Sequence, residues 1–498
     1  MHPRTLQKIS FFFLCMLTPL PLLTYAAEIK VAAVEFESKS PGFEENLPGI
    51  IDALTIAANN GAKLMVLPEG VTTGFIYGDA QSLLPDADTV PGKTTAAISA
   101  VTKKYNAYVV VGMYEKDPIT KNIFNSAVLV GPQGYIGKYH KSTLATGEGY
   151  MAVPGKTGFP VFETDIGKIG LAICFDDTNI QNLLLPALRG ADFIAQPIGS
   201  NKIPTYAQPI ADTNHSTMAN MSTAVTWLGT NVISANSTGV QGPGAGLVMF
   251  DGGSSIWNNE GKRLVSAPVS TWTDRKKPSI VYATINLNQK SSQKEYWLKH
   301  RRPELYQNIN NYRYPDDSAA DKTPREISSL LIQYDPKTGK VEENHQKIER
   351  LIQQHAGVFN LTVLPFNSFL GPVKLSKENI AQYAEELNGK SFKLAAGLAQ
   401  KYRTYVLFSM PEKKGNQYFE TAVLLDYNGK QTGLYRKSHL NDAEKTWATA
   451  GNELPVFKTA EFGNVAVMLN DEVRIPEITQ MYGIYRADVI LVPAMYNQ

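Results

Sequence analysis

The chain has 498 residues, of which 43% are hydrophobic and 19% charged, enough for two or three globular domains with cores of their own. Its 48 basic and 46 acidic residues are mixed throughout and leave a formal net charge of +2. That balance excludes the basic footprint of a nucleic-acid or anionic-membrane binder, and it points to a small molecule as the partner.

The first residues, MHPRTLQKIS, are basic and are followed by FFFLCMLTPLPLLTYAA, which exits through Thr24-Tyr25-Ala26. A basic start, a short apolar run and a small-residue exit predict a secretory signal over 1–26 and a secreted or periplasmic mature protein. No later stretch reaches the roughly 20 apolar residues of a spanning helix, so no integral membrane span is expected after signal removal. There are only two cysteines, and Cys15 lies in the signal, which leaves Cys174 as a thiol without an intramolecular partner.

From Glu28 the chain alternates strand and helix. IKVAAVEF is a β-branched run, ENLPGIIDALTIAANNG is an apolar-periodic helix closed by Gly61, and AKLMVLPEG holds a second apolar strand. AYVVVGMY, SAVLVGPQG, GKIGLAICF and ADFIAQP read as further strands, and residues 222–237 as a helix running into the strand TNVISAN. GSSIWNNEGKRLVS reads as a hairpin around Asn259-Glu260-Gly261. Near-continuous apolar strands alternating with helices predict sheets covered by helices, in the α/β or α+β class. Asn214, Asn220, Asn236 and Asn360 carry the Asn-x-Ser/Thr pattern, which matters only in a eukaryotic secretory pathway.

Residues 301–326 turn polar, tyrosine-rich and proline-punctuated, as a domain tail and linker do. The text then begins again. At a constant offset of 296, Lys141 aligns with Lys437, Gly155 with Gly451, Gly167 with Gly463, Asp192 with Asp488 and Pro197 with Pro493. A repeat this long is a duplicated domain, not a solenoid unit. The second copy stops where the first still has about 100 residues to run, so it reads as shortened. At the reactive positions the copies differ: Cys174 aligns with Asn470, and VLPEG, with Glu69, becomes VLPFN, with Phe366.

Glu69, Lys141 and Cys174 each sit where a predicted strand ends, which is where sheets of this class place their sites. Taken singly, each has an ordinary explanation as a turn carboxylate, a surface lysine and a small buried strand residue. Together they supply what acyl transfer needs: a nucleophile, a base to make it a thiolate, and a cation for the oxyanion. The seven histidines show no zinc spacing, and GPGAG at 242–246 lacks the lysine and Ser/Thr of a phosphate loop, so neither metal nor cofactor is expected and GPGAG reads as a turn over the site. His140, beside Lys141, points to the other side of an extended segment and reads as structural.

VLPEG, KYHKSTL and GLAICFDD in this order resemble the Glu-Lys-Cys signature of the nitrilase, or carbon–nitrogen hydrolase, superfamily. ALRGADFIAQP resembles the strand after the nucleophile in that family, and RRPELY its C-terminal tail; the resemblance covers residues 28–306. It implies an α-β-β-α sandwich in two tandem copies: a catalytic domain over 27–306, a linker over 307–326 and a degenerate domain over 327–498. It implies Cys174 as nucleophile, Glu69 as general base and acid, and Lys141 with the backbone N–H of Phe175 as oxyanion donors. Glu148 would orient the lysine. The segment FDDTNIQNLLLPALRG departs from the Pro-Glu pair and arginine found after the cysteine in many members, which weakens any inference about substrate.

The KYHK context and the extra C-terminal domain are similar to the secreted vanin and biotinidase branch, although the cysteine context differs. In the second copy Lys437 alone is expected to persist, with Asp471 out of register on the far face of a strand. The resemblance implies an amidase-type hydrolase of a small-molecule amide and a silent second copy standing in for a partner subunit in an intrachain pseudo-dimer or homo-oligomer. The alternatives are a catalytically silent binding or scaffold protein, and an amide-forming acyltransferase using the same thioester.

Overall fold

A computed structural model describes residues 28–75, 77–202, 221–242, 248–311, 326–355, 357, 359–459 and 461–495. The expected signal with Cys15, the sites at Asn214 and Asn220, most of GPGAG and residues 312–325 of the expected linker lie outside them. The chain divides into two compact units, 1–290 and 291–498.

In chain order the first unit carries β1 (Glu28–Val34), α1 (Phe43–Asn59), β2 (Leu64–Val66), α2 (Ala80–Leu83), α3 (Lys93–Tyr105), β3 (Tyr108–Lys116), β4 (Ile123–Gly131) and β5 (Gly134–His140). There follow β6 (Val161–Thr164), β7 (Gly167–Leu171), α4 (Ile180–Leu188), β8 (Phe193–Ile198), β9 (Asn201–Lys202) and α5 (Met221–Leu228). The unit closes with β10 (Asn231–Asn236), β11 (Thr238–Gln241), β12 (Val248–Asp251), β13 (Ser255–Trp257), β14 (Arg263–Ser266) and β15 (Ile280–Asn286).

Two six-stranded sheets result, in the orders β15-β1-β2-β3-β4-β5 and β14-β13-β10-β8-β7-β6. The period-2 alternation of β1 shows how they stack. Ile29, Val31 and Ala33 pack with Ile169, Leu171, Phe193 and Ala195 of the other sheet, whereas Ala32 and Val34 pack with Ile50 and Leu54 of α1. With α1 and α3 outside the first sheet, and α4 on the second with α5 beside it, the layers are α-β-β-α. The hairpin β13–β14 forms as predicted, with Asn258 N donating to Lys262 O (3.0 Å).

Two readings are corrected here. GKIGLAICF is a strand only to Leu171, and Cys174–Thr178 is a 3-10 helix. Asn236 is buried in β10 and donates to Asp251 Oδ1 (2.9 Å) and Gly252 O (2.8 Å), so it cannot accept a glycan.

The second unit carries α6 (Ser292–His300), α7 (Asn308–Asn311), β16 (Ser329–Leu331), α8 (Val341–Gln354), β17 (Leu361–Val363), α9 (Ile380–Tyr383), α10 (Lys390–Tyr402) and β18 (Tyr405–Lys414). After these come β19 (Gln417–Leu425), β20 (Gln431–Arg436), β21 (Val456–Thr459), β22 (Gly463–Val467), α11 (Pro476–Ile484) and β23 (Val489–Leu491). Its sheets run β16-β17-β18-β19-β20 and β21-β22-β23. The segment containing RRPELY belongs to this unit. Trp297 Nε1 donates to Glu477 Oε2 (2.7 Å), Arg302 Nη1 to Ser438 O (2.9 Å), and Tyr306 OH meets His439 Nε2 (2.5 Å). Among the described residues no helix is long and apolar enough to cross a membrane.

One close approach ties the two sheets of the first unit together where the site lies. A Cβ on Gly112 would stand 2.5 Å from Glu69 Cα, 2.5 Å from Pro68 O and 2.7 Å from Pro197 Cβ. Two of these three neighbours are backbone, so no rotamer change relieves the clash. Gly112→Ala is expected to destabilise the protein by about 1–3 kcal/mol, read as a lower urea midpoint, and to lower activity by displacing Glu69.

Candidate active site

Four strand ends converge on one buried cluster. Glu69 follows β2 after Leu67 and Pro68, and its N–H donates to Ile198 O at the end of β8 (3.2 Å). Lys141 follows β5, held by Lys141 N to Asn125 O and Gly155 N to Lys141 O, both 2.8 Å. Cys174 follows β7. Glu148 opens a 3-10 turn, Glu148–Tyr150. Glu69, Lys141 and Glu148 are buried, and Cys174 is half-buried.

The lysine ammonium joins the two carboxylates. Lys141 Nζ donates to Glu69 Oε1 and to Glu148 Oε2, each at 2.7 Å. Asn125 Nδ2 bridges the same two carboxylates, at 2.7 Å from Glu69 Oε1 and 2.6 Å from Glu148 Oε1. Ala145 N also donates to Glu148 Oε2 (2.9 Å). The Cys174 thiol lies beside the Glu69 carboxylate, within reach of its charge. The structure therefore brings together all four side chains singled out in the sequence.

Burial, reinforced by Glu148, pushes the Glu69 carboxyl up against the opposing pull of Lys141. Burial and the Glu69 charge push the Cys174 thiol well up, while Lys141 and the Gly199 N–H pull it down. Burial alone would lower Lys141, but Glu69, Cys174 and Glu148 outweigh it and hold the ammonium well above its ordinary value.

The nucleophile position is a strained turn. Cys174 has φ +40°, a left-handed conformation that costs a residue other than glycine on the order of 1–3 kcal/mol. Asp176 holds it there. Its buried carboxylate accepts from Ile173 N (2.9 Å), Thr143 N (3.1 Å), Ser142 Oγ (3.2 Å) and Asn182 Nδ2 (3.3 Å). Phe175 is second in the 3-10 helix, where backbone N–H groups lack an intrahelical acceptor.

Sequence reasoning missed Asn125, Asp176 and Tyr114. Asn125 is a buried amide inside the apolar run of β4, which was a usable signal. Tyr114 is buried, its hydroxyl has no hydrogen-bond partner among the described residues, and burial with the Glu148 and Glu69 charges pushes that phenol well up, which places it beside the cluster. His140 faces away, its Nε2 2.9 Å from Glu115 Oε2 and its ring stacked on Phe124. Among the described residues no three His, Cys, Asp or Glu side chains are grouped to hold a metal ion.

The second unit repeats the frame with different contents. Lys437 N donates to Glu420 O (2.8 Å) as Lys141 N does to Asn125 O, so Glu420 occupies the Asn125 position. Asn470 keeps the left-handed turn, φ +52°. Glu472 takes the place of Asp176, accepting from Leu469 N (2.8 Å) and His439 N (3.0 Å).

Of the three catalytic positions only the lysine is kept, and Glu444, at the Glu148 position, accepts from Lys437 on both oxygens (2.7 Å each). One expectation about this copy is overturned: Asp471 does not face away. It lies on a 3-10 helix, Asn470–Arg474, whose turn brings its carboxylate to Lys437 Nζ (2.5 Å) and Asn441 Nδ2 (3.0 Å).

Comparison with known proteins agrees with this geometry. The carbon-nitrogen hydrolase family pattern matches residues 30–295 and again 331–498. A nitrilase from Pyrococcus abyssi is 36% identical over 180 residues, 36% of this chain and 67% of that protein. A citrullinase from Francisella tularensis is 27% identical over 292 residues, 57% of this chain and 98% of its own length. A solved carbon-nitrogen hydrolase from Helicobacter pylori, 20% identical, superposes with a TM-score of 0.50 over 57% of this chain and 99% of its own, a likeness of fold. With its sequence pattern present twice and its sandwich fold in the first unit, the chain belongs to the carbon-nitrogen hydrolase family.

Proposed function

We propose that this carbon–nitrogen hydrolase is an amidase-type enzyme that cleaves a small-molecule amide through a thioester on Cys174, with Glu69 and Lys141 as its partners, and that it works outside the cytoplasm. The observation that carries the reading is the strained Cys174 turn beside a buried carboxylate that is itself paired with a buried ammonium. Glu69 accepts the thiol proton as Sγ attacks the amide carbonyl carbon, so the nucleophile is a thiolate only during attack. That sequence suits a thiol whose resting form is neutral.

Charge then develops on the carbonyl oxygen. Lys141 has three donors, and two are engaged by Glu69 and Glu148, which leaves the third for the oxyanion beside the Phe175 N–H. The protonated Glu69 gives its proton to the leaving nitrogen, and the amine departs. Water entering in its place loses a proton to Glu69 and attacks the thioester carbon, and the thiolate leaves and regains a proton as the acid is released. Export is supported by the signal-like segment 1–26.

The second unit is read as catalytically silent. Phe366 stands at the position of the base and Asn470 at that of the nucleophile. The donors of Lys437 are all directed at carboxylate oxygens of Glu444 and Asp471.

An activity screen over small amides, nitriles and carbamoyl compounds tests the reading. Cys174→Ala is expected to lose all hydrolysis with its circular dichroism unchanged, and turnover surviving in that variant contradicts it. Asp176→Ala is expected to lower kcat by about tenfold or more by releasing the turn, with Asp176→Asn retaining more because it still accepts hydrogen bonds.

The pH profile gives a further test. Glu69 must be ionised to act as base and its pKa is raised, so the acid limb of kcat/KM should lie above the ordinary carboxylate value of 4.5. Because Glu148 contributes to that rise, Glu148→Gln should move the acid limb to lower pH while reducing kcat.

A further inference from the structure

The second unit keeps a cavity of about 410 Å³ where the first copy has its reactive cluster, lined among others by Phe366, Asn367, Glu420, Glu444, Trp447 and Asn470. This size falls within the range of small-ligand sites. Two of its polar groups have no counterpart in the first copy. Glu420 replaces Asn125, and Asn367, φ +46°, replaces Gly70, φ +54°. Asn367 is buried at 6% exposure, and its Nδ2 donates to both Glu420 oxygens (3.0 and 3.1 Å). Its Oδ1 is buried with no hydrogen-bond partner among the described residues, and Asn367 is one of the residues that line the cavity. A buried acceptor left unpaired is destabilising, and a ligand donor would recover that cost.

The charges point the same way. Lys437 is the buried cation of the cluster, and its donors go to Glu444 and Asp471. Arg474 stacks on Tyr296 and bonds Gln293 and Ser292, while Lys374 is exposed at the rim. Among the described residues Glu420 thus has the Asn367 amide but no ion-pair partner. Burial and the Glu444 charge push its carboxyl up to about 8, so it rests largely protonated at neutral pH and a cation seated beside it would draw it into the ionised form. The wall presents acceptors and surplus acid beside the rings of Phe366 and Trp447, a combination that favours a cation with an apolar body.

We propose that this cavity binds a small organic cation, a primary ammonium on a short apolar chain, with its N–H groups on Glu420 and Asn367 Oδ1 and its chain against Trp447. The site does not depend on the catalytic reading of the first unit, since it shares no residue with that cluster.

Isothermal titration calorimetry of the full chain carrying Cys174→Ala, which prevents turnover, tests it with n-butylammonium and its neutral isostere butan-1-ol. Butylammonium is expected to bind at least about tenfold more tightly than butan-1-ol, a difference of about 1.4 kcal/mol. Glu420→Gln should weaken butylammonium by about tenfold or more. Asn367→Gly, which restores the first copy's residue at this left-handed position, should weaken it as well. Equal affinity for the two probes, no binding of butylammonium, or affinity unchanged in both variants would overturn the proposal. The comparison of probes on the unaltered cavity remains decisive if either variant fails to fold.

Discussion

The fold of the first unit is arranged around one buried ammonium. Lys141 is out of water between Glu69 and Glu148, and such a charge is tolerated only while its partners stay in place. Removing one partner of a buried pair typically costs about 3–5 kcal/mol, because the remaining charge is left uncompensated. The ends of β2, β5 and β7 must therefore meet to within tenths of an ångström. The Gly112 contact, the Glu69 N–H bond to Ile198 O and the Asp176 hydrogen bonds secure that meeting. Asn125, bonded to both carboxylates, sets the distance between them.

The duplication separates what the frame requires from what chemistry requires. Both copies keep the lysine, the following glutamate, the left-handed turn and an acid that holds that turn. Asparagine at 470 suits this conformation because its short polar side chain tolerates the left-handed region better than most. The copies part at the groups that move protons or form bonds: Glu69 gives way to Phe366 and Cys174 to Asn470. In the second copy Asp471 also occupies the ammonium, and that change has no parallel in the first. A lysine directed at three carboxylate oxygens has lost the donor that an oxyanion would use.

Much of this was legible in the sequence. The period-2 alternation of IKVAAVEF and the apolar periodicity of α1 gave the stacked sheets and their outer helices, and the constant offset exposed the tandem copies. Glu69, Lys141, Glu148 and Cys174 could be singled out because each is a polar or reactive residue beside an apolar strand. Asp176 and Asp471 were harder. Their roles arise from a 3-10 turn that begins at the nucleophile, whereas the apolar text of GLAICF and AVMLN reads as continued strand. A strand alternates faces, but a 3-10 turn brings three successive residues around one axis, so Asp471 reaches the lysine that strand register would deny it. Glu420 was hidden for another reason: its equivalence to Asn125 requires a one-residue shift from the constant offset, visible only in the pairing of Lys437 N with its carbonyl.

The central claim is that the reaction passes through a covalent acyl group on one thiol. Acid-quenched intact-protein mass spectrometry during turnover of an accepted amide, followed by peptide mapping, reads that claim directly. The account requires a single acyl adduct that maps to Cys174 and decays as substrate is exhausted. Turnover with no adduct even after the fastest quench, or an adduct mapping to any residue of the second unit, would contradict it.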